Sequence, residues 1–147
     1  MKNDKTDNHE QLFWEEIDRL FPDMIKAIAS LSKKSYLSIT NLRTGITWWS
    51  ERAMDYFGMK ENYTIRGMEK ANRKIHPDDV ATFKRGFKER VDGKNLDTAW
   101  EYRIQDGDSY NRFNAMARVL YDEQKQPFII IIRYDNYGIS DEVDSVT

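Results

Sequence analysis

The chain has 147 residues, a formal net charge of −2 and no cysteine. Its length suits a single domain, and the near-neutral charge gives no electrostatic basis for binding nucleic acid or an anionic membrane. The lack of cysteine excludes a disulfide framework, a thiolate zinc site and a cysteine nucleophile, and without a signal peptide or an apolar run near ~18 residues we expect a cytoplasmic protein.

The N-terminal part divides into a polar start and an amphipathic helical segment. Residues 1–10 are polar and alternate in charge, so we expect a disordered tail. Residues 11–33 carry apolar side chains at helical spacing, although Pro22 should kink the helix near Phe21 or restart it. The apolar face is a candidate dimer or signalling surface and consists of Phe13, Ile17, Leu20, Met24, Ile28 and Leu31.

Two strands and a short helix are predicted next. Residues 36–40 and 46–49 are rich in β-branched and aromatic side chains and fit two strands joined by a turn. Ser50 is a favourable helix N-cap and Gly58 a favourable terminator for a helix between them. Residues 59–75 fit one or two short helical turns with a loop.

The run His76-Pro77-Asp78-Asp79 opens a longer predicted helix. Its two carboxylates lie in the first turn, where they complement the helix dipole. Adjacent helical positions point about 100° apart, so the pair does not form a catalytic acid–base site. His76 fits an N-cap better than a haem or metal ligand, because the other histidine, His9, lies in the polar tail. The apolar face of this helix consists of Val80, Phe83, Phe87 and Val91.

Three strands then follow, over residues 98–104, 110–121 and 127–134, with polar turns between them that indicate an antiparallel meander. The run 128–132 in the last strand is apolar without alternation. A strand with one wet face should show polar residues on that face, so we expect both faces of this strand to be covered. The central helices can cover one face, and residues 12–31 of the same chain or of a partner can cover the other.

The element order and five short motifs resemble the PAS family of sensory domains. The motifs are Trp49-Ser50-Glu51-Arg52, His76-Pro77-Asp78-Asp79, Glu101-Tyr102-Arg103-Ile104, Asp106-Gly107-Asp108-Ser109-Tyr110 and the turn 122–127. The resemblance covers residues 34–137 and implies an α+β fold with a five-stranded antiparallel sheet. Short helices would enclose a pocket on one face, and the N-terminal helical segment would lie on the other face or at a dimer interface.

The resemblance puts Trp49 toward the pocket, while Trp48 faces the opposite side of the sheet. The candidate pocket residues are Trp49, Met54, Phe57, Met68, Phe83, Phe87, Trp100, Tyr102, Ile104, Ala115 and Ala117. The same side chains also fit a filled aromatic core, the more common arrangement of such residues, so a ligand pocket and a ligand-free core remain alternatives. No haem or flavin signature identifies a cofactor, and a small-molecule ligand stays unidentified.

A second resemblance concerns the last four residues. Asp144-Ser145-Val146-Thr147 is similar to the Asp-x-Leu-Thr motif that opens a GGDEF diguanylate cyclase domain. With 138–147 as a linker, this similarity implies a bacterial cyclic-di-GMP signalling protein with a C-terminal effector domain. We expect a non-enzymatic regulatory domain that forms a homodimer, senses a ligand or partner and controls that effector. The alternative is a ligand-free dimerisation or protein-interaction module.

Overall fold

The protein is built on a six-stranded antiparallel sheet, in a computed structural model that describes residues 4–21, 23, 27–28, 30 and 35–139. The strands are β1 (Tyr36–Asn41), β2 (Ile46–Trp49), β3 (Tyr63–Ile65), β4 (Trp100–Asp106), β5 (Ser109–Tyr121) and β6 (Pro127–Ile139). Their order in the sheet is β3-β2-β1-β6-β5-β4. The first and last strands of the chain therefore pair at the centre of the sheet.

Helices cover both faces of this sheet. Helix α1 (Asp4–Leu20) packs on one face, and α2 (Glu51–Phe57), α3 (Gly67–Asn72) and α4 (Val80–Val91) pack on the other. A 3-10 turn, Pro77–Asp79, leads into α4. No helix in the described part of the chain combines the length and the apolar character needed to cross a membrane.

Local signals explain the bounds of α2. The Ser50 side chain accepts a hydrogen bond from the Ala53 backbone N–H at 3.3 Å, which satisfies an amide that the helix itself leaves free. Gly58 ends the helix with φ 72°, a left-handed conformation that glycine adopts without steric cost. The predicted helix between Ser50 and Gly58 is therefore confirmed.

Two apolar clusters lie on opposite faces of the sheet. The inner core, under α2, α3 and α4, consists of Trp49, Ala53, Phe57, Met59, Ala71, Ile75, Phe83, Trp100, Tyr102, Ile104, Phe113, Ala115, Ala117, Val119, Ile130, Ile132 and Tyr134. The outer core, under α1, consists of Phe13, Trp14, Ile17, Leu37, Ile39, Ile46, Phe128 and Ile129. Strand β6 contributes to both cores, which confirms that both of its faces are covered.

Polar contacts fix α1 against the sheet of its own chain. The Trp14 indole N–H donates to the Tyr63 hydroxyl at 2.6 Å, and the Asn41 amide donates to the Phe13 carbonyl at 3.3 Å. Arg43 forms ion pairs with Glu16 on α1 and with Asp122 in the turn between β5 and β6. These contacts join α1 to both halves of the sheet.

Several sequence-based expectations are wrong in detail. The sheet has six strands rather than five, because residues 63–65 pair with the edge of β2 instead of forming helical turns or a loop. Residues 4–10, predicted to be disordered, continue α1 toward its N-terminus, since extending a formed helix costs little. Strand β6 runs to Ile139 rather than to residue 134, because its end keeps pairing with β5.

The amphipathic segment 11–33 is described only in part. Phe13 and Ile17 are fully buried in the outer core, and Leu20 and Ile28 are partly buried against it. Pro22, Met24, Leu31 and the C-terminal residues 140–147 lie outside the described residues.

Candidate functional site

A cavity of about 10 Å³ lies in the inner core, between β4, β6 and the helices. This volume is at the lower limit for one water molecule, so side chains fill most of the space predicted for a pocket. The lining residues are Phe57, Met68, Ala71, Asn72, Ile75, Phe83, Tyr102, Ile104 and Tyr134.

The sequence-based candidates occupy three kinds of position. Phe57, Met68, Phe83, Tyr102 and Ile104 line the cavity. Four others are buried in the inner core without lining the cavity: Trp49, Trp100, Ala115 and Ala117. Met54 and Phe87 are only partly buried at the edge of this core. The alternation of β4 is confirmed, because Trp100, Tyr102 and Ile104 face the inner core whereas Glu101 is exposed.

Sequence reasoning missed four lining residues. Ala71, Asn72 and Ile75 belong to the segment 59–75, which carries no clear periodicity. Tyr134 had a usable signal, because it follows Ile130 and Ile132 at the two-residue spacing of one strand face.

Phe83 of α4 is the aromatic ring at the centre of the site. Its ring centroid lies 4.8 Å from that of Tyr102, with the planes at 80°, and 6.0 Å from that of Trp100. These are edge-to-face and tilted contacts of the kind that aromatic rings prefer. Any molecule larger than water that entered this cavity would therefore have to displace lining side chains, and Phe83 is the one that packs directly against the Tyr102 ring.

The two tyrosines of the cavity differ in their hydrogen bonding. The Tyr134 hydroxyl lies 3.0 Å from the Ser38 hydroxyl, with which it forms a hydrogen bond. The Tyr102 hydroxyl is buried and has no hydrogen-bond partner among the described residues, and the same is true of the Asn72 side-chain oxygen. Burial raises the pKa of Tyr102 well above its ordinary value, so this hydroxyl stays protonated and able to donate.

A buried arginine lies beside this site, and sequence reasoning did not single it out. The Arg90 guanidinium carbon lies 4.0 Å from the centre of the Trp100 ring. Its Nη1 donates to the Gly86 carbonyl at 3.3 Å and its Nη2 donates to the Thr98 carbonyl. Arg90 lies three residues after Phe87, on the apolar face of α4. A charged residue on an apolar helix face was the sequence feature from which its burial could have been predicted.

Arg90 and Trp100 each have a buried N–H group that makes no hydrogen bond to the described residues. These groups are Arg90 Nε and Trp100 Nε1. Burial lowers the pKa of Arg90 from its ordinary value, since removing a cation from water disfavours the charged form.

Gly86 permits the close packing of Trp100 on α4. A Cβ at this position would lie 2.8 Å from both Cδ1 and Nε1 of the Trp100 ring, closer than a side-chain carbon can approach. The helix surface is therefore shaped so that the indole ring lies against the backbone beside Arg90.

The His-Pro-Asp-Asp motif has a structural role that the sequence predicted only in part. The His76 Nδ1 accepts a hydrogen bond from the Asp78 backbone N–H at 3.1 Å, which is the predicted N-cap. Asp79 does more than complement the helix dipole, because its carboxylate binds Arg103 of β4. No group of three or more metal-ligating side chains occurs among the described residues.

Comparison with known proteins identifies the family. The family model described as PAS fold matches residues 46–132, which is more than half of the chain. The chain therefore belongs to the PAS family of sensory domains, which occurs in kinases and diguanylate cyclases. A comparison with curated proteins finds no significant match.

Solved structures have the same fold at low sequence identity. A sensory box histidine kinase/response regulator from Burkholderia thailandensis is 16% identical with a TM-score of 0.60, over 82% of this chain and 88% of that chain. The N-terminal domain of a diguanylate cyclase with PAS/PAC sensor from Marinobacter aquaeolei is 15% identical with a TM-score of 0.58, over 71% and 96%. A PAS domain from Colwellia psychrerythraea is 18% identical with a TM-score of 0.54, over 79% and 98%.

Proposed function

We propose that this chain is a regulatory PAS domain whose inner core responds to a small ligand or partner and passes the response through β6 to a downstream effector. The observation that carries the proposal is the double role of β6. Ile130, Ile132 and Tyr134 pack in the inner core, whereas Ile129 is buried in the outer core and Ile131 packs against it. A shift of this strand changes packing on both faces, because alternate side chains belong to opposite cores.

The contacts of β6 give this response a direction. Strand β6 pairs with β1 over residues 129–134 and continues with β5 alone to Ile139. In the proposed mechanism, a ligand that displaces Phe83 biases β6 between two packings, and the end of β6 carries this bias toward residues 140–147. The outer core carries the same bias to α1, which contributes Phe13 and Ile17.

The effector proposed for the parent protein is a diguanylate cyclase. The C-terminal Asp144-Ser145-Val146-Thr147 supports this assignment through its similarity to the motif that opens such domains. In the Marinobacter protein, a domain with this fold is the N-terminal part of a diguanylate cyclase. A homodimer belongs to the same proposal, because a cyclase of that family acts as a dimer and a sensor can regulate it by changing how two copies meet.

A ligand-free dimerisation or interaction module is the second candidate. The observation that favours it is the small inner cavity, about 10 Å³, within an aromatic core that is otherwise filled. A domain of this kind would set dimer geometry without opening its core, so its purified form would carry no small molecule and its response would come only from protein partners.

Native mass spectrometry of the purified chain, repeated after denaturation, separates the two candidates. Extra mass that is lost on denaturation supports the ligand sensor, and a dimer with no added mass supports the interaction module. In the parent protein, deletion of residues 34–137 should change the effector's output. Unchanged output after that deletion would exclude both regulatory roles.

Phe83→Ala tests the proposed route from the inner core to α1. Phe83 is buried in the inner core and contacts the rings of Tyr102, Trp100 and Phe87, so its removal should change backbone amide NMR shifts along β6 and in α1. Lys84→Ala is the matched control, because Lys84 is the next residue of the same helix and is exposed. Shift changes restricted to α4 and β4 in Phe83→Ala would contradict the route.

A further inference from the structure

The inner core contains a buried positive charge without a buried negative one. Arg90 is 3% exposed and is the only charged residue among the buried residues of the described part of the chain. Its nearest carboxylate is Glu89, 3.5 Å from Nη1, whose side chain is 36% exposed. Buried charges in proteins are normally paired, and the partner that Glu89 provides for Arg90 is itself partly exposed to solvent.

Three buried donors in this part of the inner core have no hydrogen-bond partner among the described residues. They are the Arg90 Nε–H, the Trp100 Nε1–H and the Tyr102 hydroxyl. The first two groups can only donate hydrogen bonds. The guanidinium and the two rings lie next to one another. The Arg90 guanidinium carbon is 4.0 Å from the centre of the Trp100 ring, and the ring centroids of Trp100 and Tyr102 are 6.0 Å apart.

Two of the five N–H donors of the Arg90 guanidinium already bind carbonyl oxygens. Nη1 binds the Gly86 carbonyl and Nη2 binds the Thr98 carbonyl, which holds the guanidinium plane against the Trp100 ring. The direction of the Nε–H is therefore fixed before any ligand arrives. A donor that is held in place costs little conformational entropy when it binds an acceptor.

We propose that Arg90, Trp100 and Tyr102 form a receptor for the carboxylate of a small organic acid. This inference rests on the proposed function, in which the inner core takes a ligand. A carboxylate supplies the fully buried negative charge that the partly exposed Glu89 does not, and it accepts from several donors at once. The apolar part of the acid replaces the Phe83 ring next to the cavity, where Met68 can adapt to its shape.

The test compares acids with amides of the same shape. The probes are phenylacetate with phenylacetamide and hexanoate with hexanamide, titrated into the purified chain and followed by isothermal calorimetry and by the indole N–H NMR signal of Trp100. Each acid should bind at least about tenfold more tightly than its amide, since a hydrogen bond to a charged group in a buried site is strong. Acid binding should shift the Trp100 signal.

Variants separate binding from a structural role. Tyr102→Phe should weaken acid binding while leaving the unliganded domain as stable as the wild type or more stable, because it removes an unpartnered buried hydroxyl. Arg90→Met should abolish the preference for acids over amides. Arg85→Met, a change at an exposed arginine of the same helix, is the control and should keep the preference.

The outcomes distinguish this inference from the function on which it rests. Equal binding of acid and amide, or an unchanged preference in both Tyr102→Phe and Arg90→Met, overturns the carboxylate assignment and leaves a ligand sensor standing. Failure of all four probes to bind either the wild type or Phe83→Ala, which enlarges the cavity, overturns the carboxylate site together with the ligand-binding role of the inner core. If Arg90→Met does not fold, Tyr102→Phe alone decides.

Discussion

Asp79 holds Arg103 by three hydrogen bonds and so ties the start of α4 to the edge strand β4. Its Oδ2 accepts from the Arg103 backbone N–H and from Nε, each at 2.8 Å, and its Oδ1 accepts from Nη2 at 3.0 Å. Nearby backbone bonds strengthen the junction, because the His76 N–H donates to the Arg103 carbonyl and the Gln105 N–H donates to the Lys74 carbonyl. The outer edge of β4 is thereby covered.

Asp79→Asn should destabilise the domain by about 1–3 kcal/mol, because it leaves a mostly buried guanidinium without its carboxylate. The side chains of Asp79 and Arg103 are 19% and 24% exposed, so solvent screens this pair only in part. Urea unfolding of the two proteins measures the difference. Asp78→Asn is the matched control, since that side chain is 80% exposed, and an equal loss in the control would refute the specific role of Asp79.

The same pair predicts a pH dependence. Hydrogen bonds from Arg103 lower the pKa of Asp79 below its ordinary value of 3.8. A carboxyl group with a lowered folded-state pKa stabilises the fold above its unfolded-state pKa, and this contribution disappears as the pH falls through the folded-state pKa. The difference in unfolding free energy between the wild type and Asp79→Asn should therefore be constant near neutral pH and shrink below about pH 4. A difference that persists unchanged into acid would contradict this assignment.

Helix α1 should depend on its buried side chains for docking. Ile17 is fully buried in the outer core, so Ile17→Ala should cost about 2–5 kcal/mol through lost apolar contact and an unfilled cavity. Leu12→Ala on the same helix is the control, because Leu12 is 44% exposed and its removal should change stability by less than about 1 kcal/mol. Thermal unfolding followed by tryptophan fluorescence compares them. Equal losses would mean that the outer core does not hold α1.

The sequence predicts most of the fold because local signals and strand patterns determine it. The cap at Ser50, the terminator at Gly58 and the apolar run of β6 each carry their own physical reason, and each is confirmed. Strand β3 was not predicted, because three residues are too few to show a strand alternation of apolar and polar side chains. Their conformation depends on pairing with β2. The structure of residues 59–75 depends on tertiary contacts in the same way.

The candidate site was predictable to a smaller extent. Alternation placed Tyr102 and Ile104 on the inner face, but it could not show that side chains reduce the cavity to about 10 Å³. That depends on how Phe83, Met68 and Tyr134 pack together, which no local pattern encodes. The ion pair between Asp79 and Arg103 could not be predicted from local sequence either, because all of α4 separates the two residues along the chain.

Gly86→Ala tests whether Trp100 is fixed against α4 beside Arg90. Alanine favours a helix over glycine by about 1 kcal/mol, yet its Cβ would lie 2.8 Å from two atoms of the Trp100 ring. We expect the steric conflict to dominate, with a net loss of about 1–3 kcal/mol in unfolding free energy and a changed near-ultraviolet circular dichroism signal. Lys84→Ala, an exposed change on the same helix, should stay within about 0.5 kcal/mol of the wild type. A Gly86→Ala protein at least as stable as the wild type, with an unchanged aromatic signal, would show that the indole ring is free to move away from the helix.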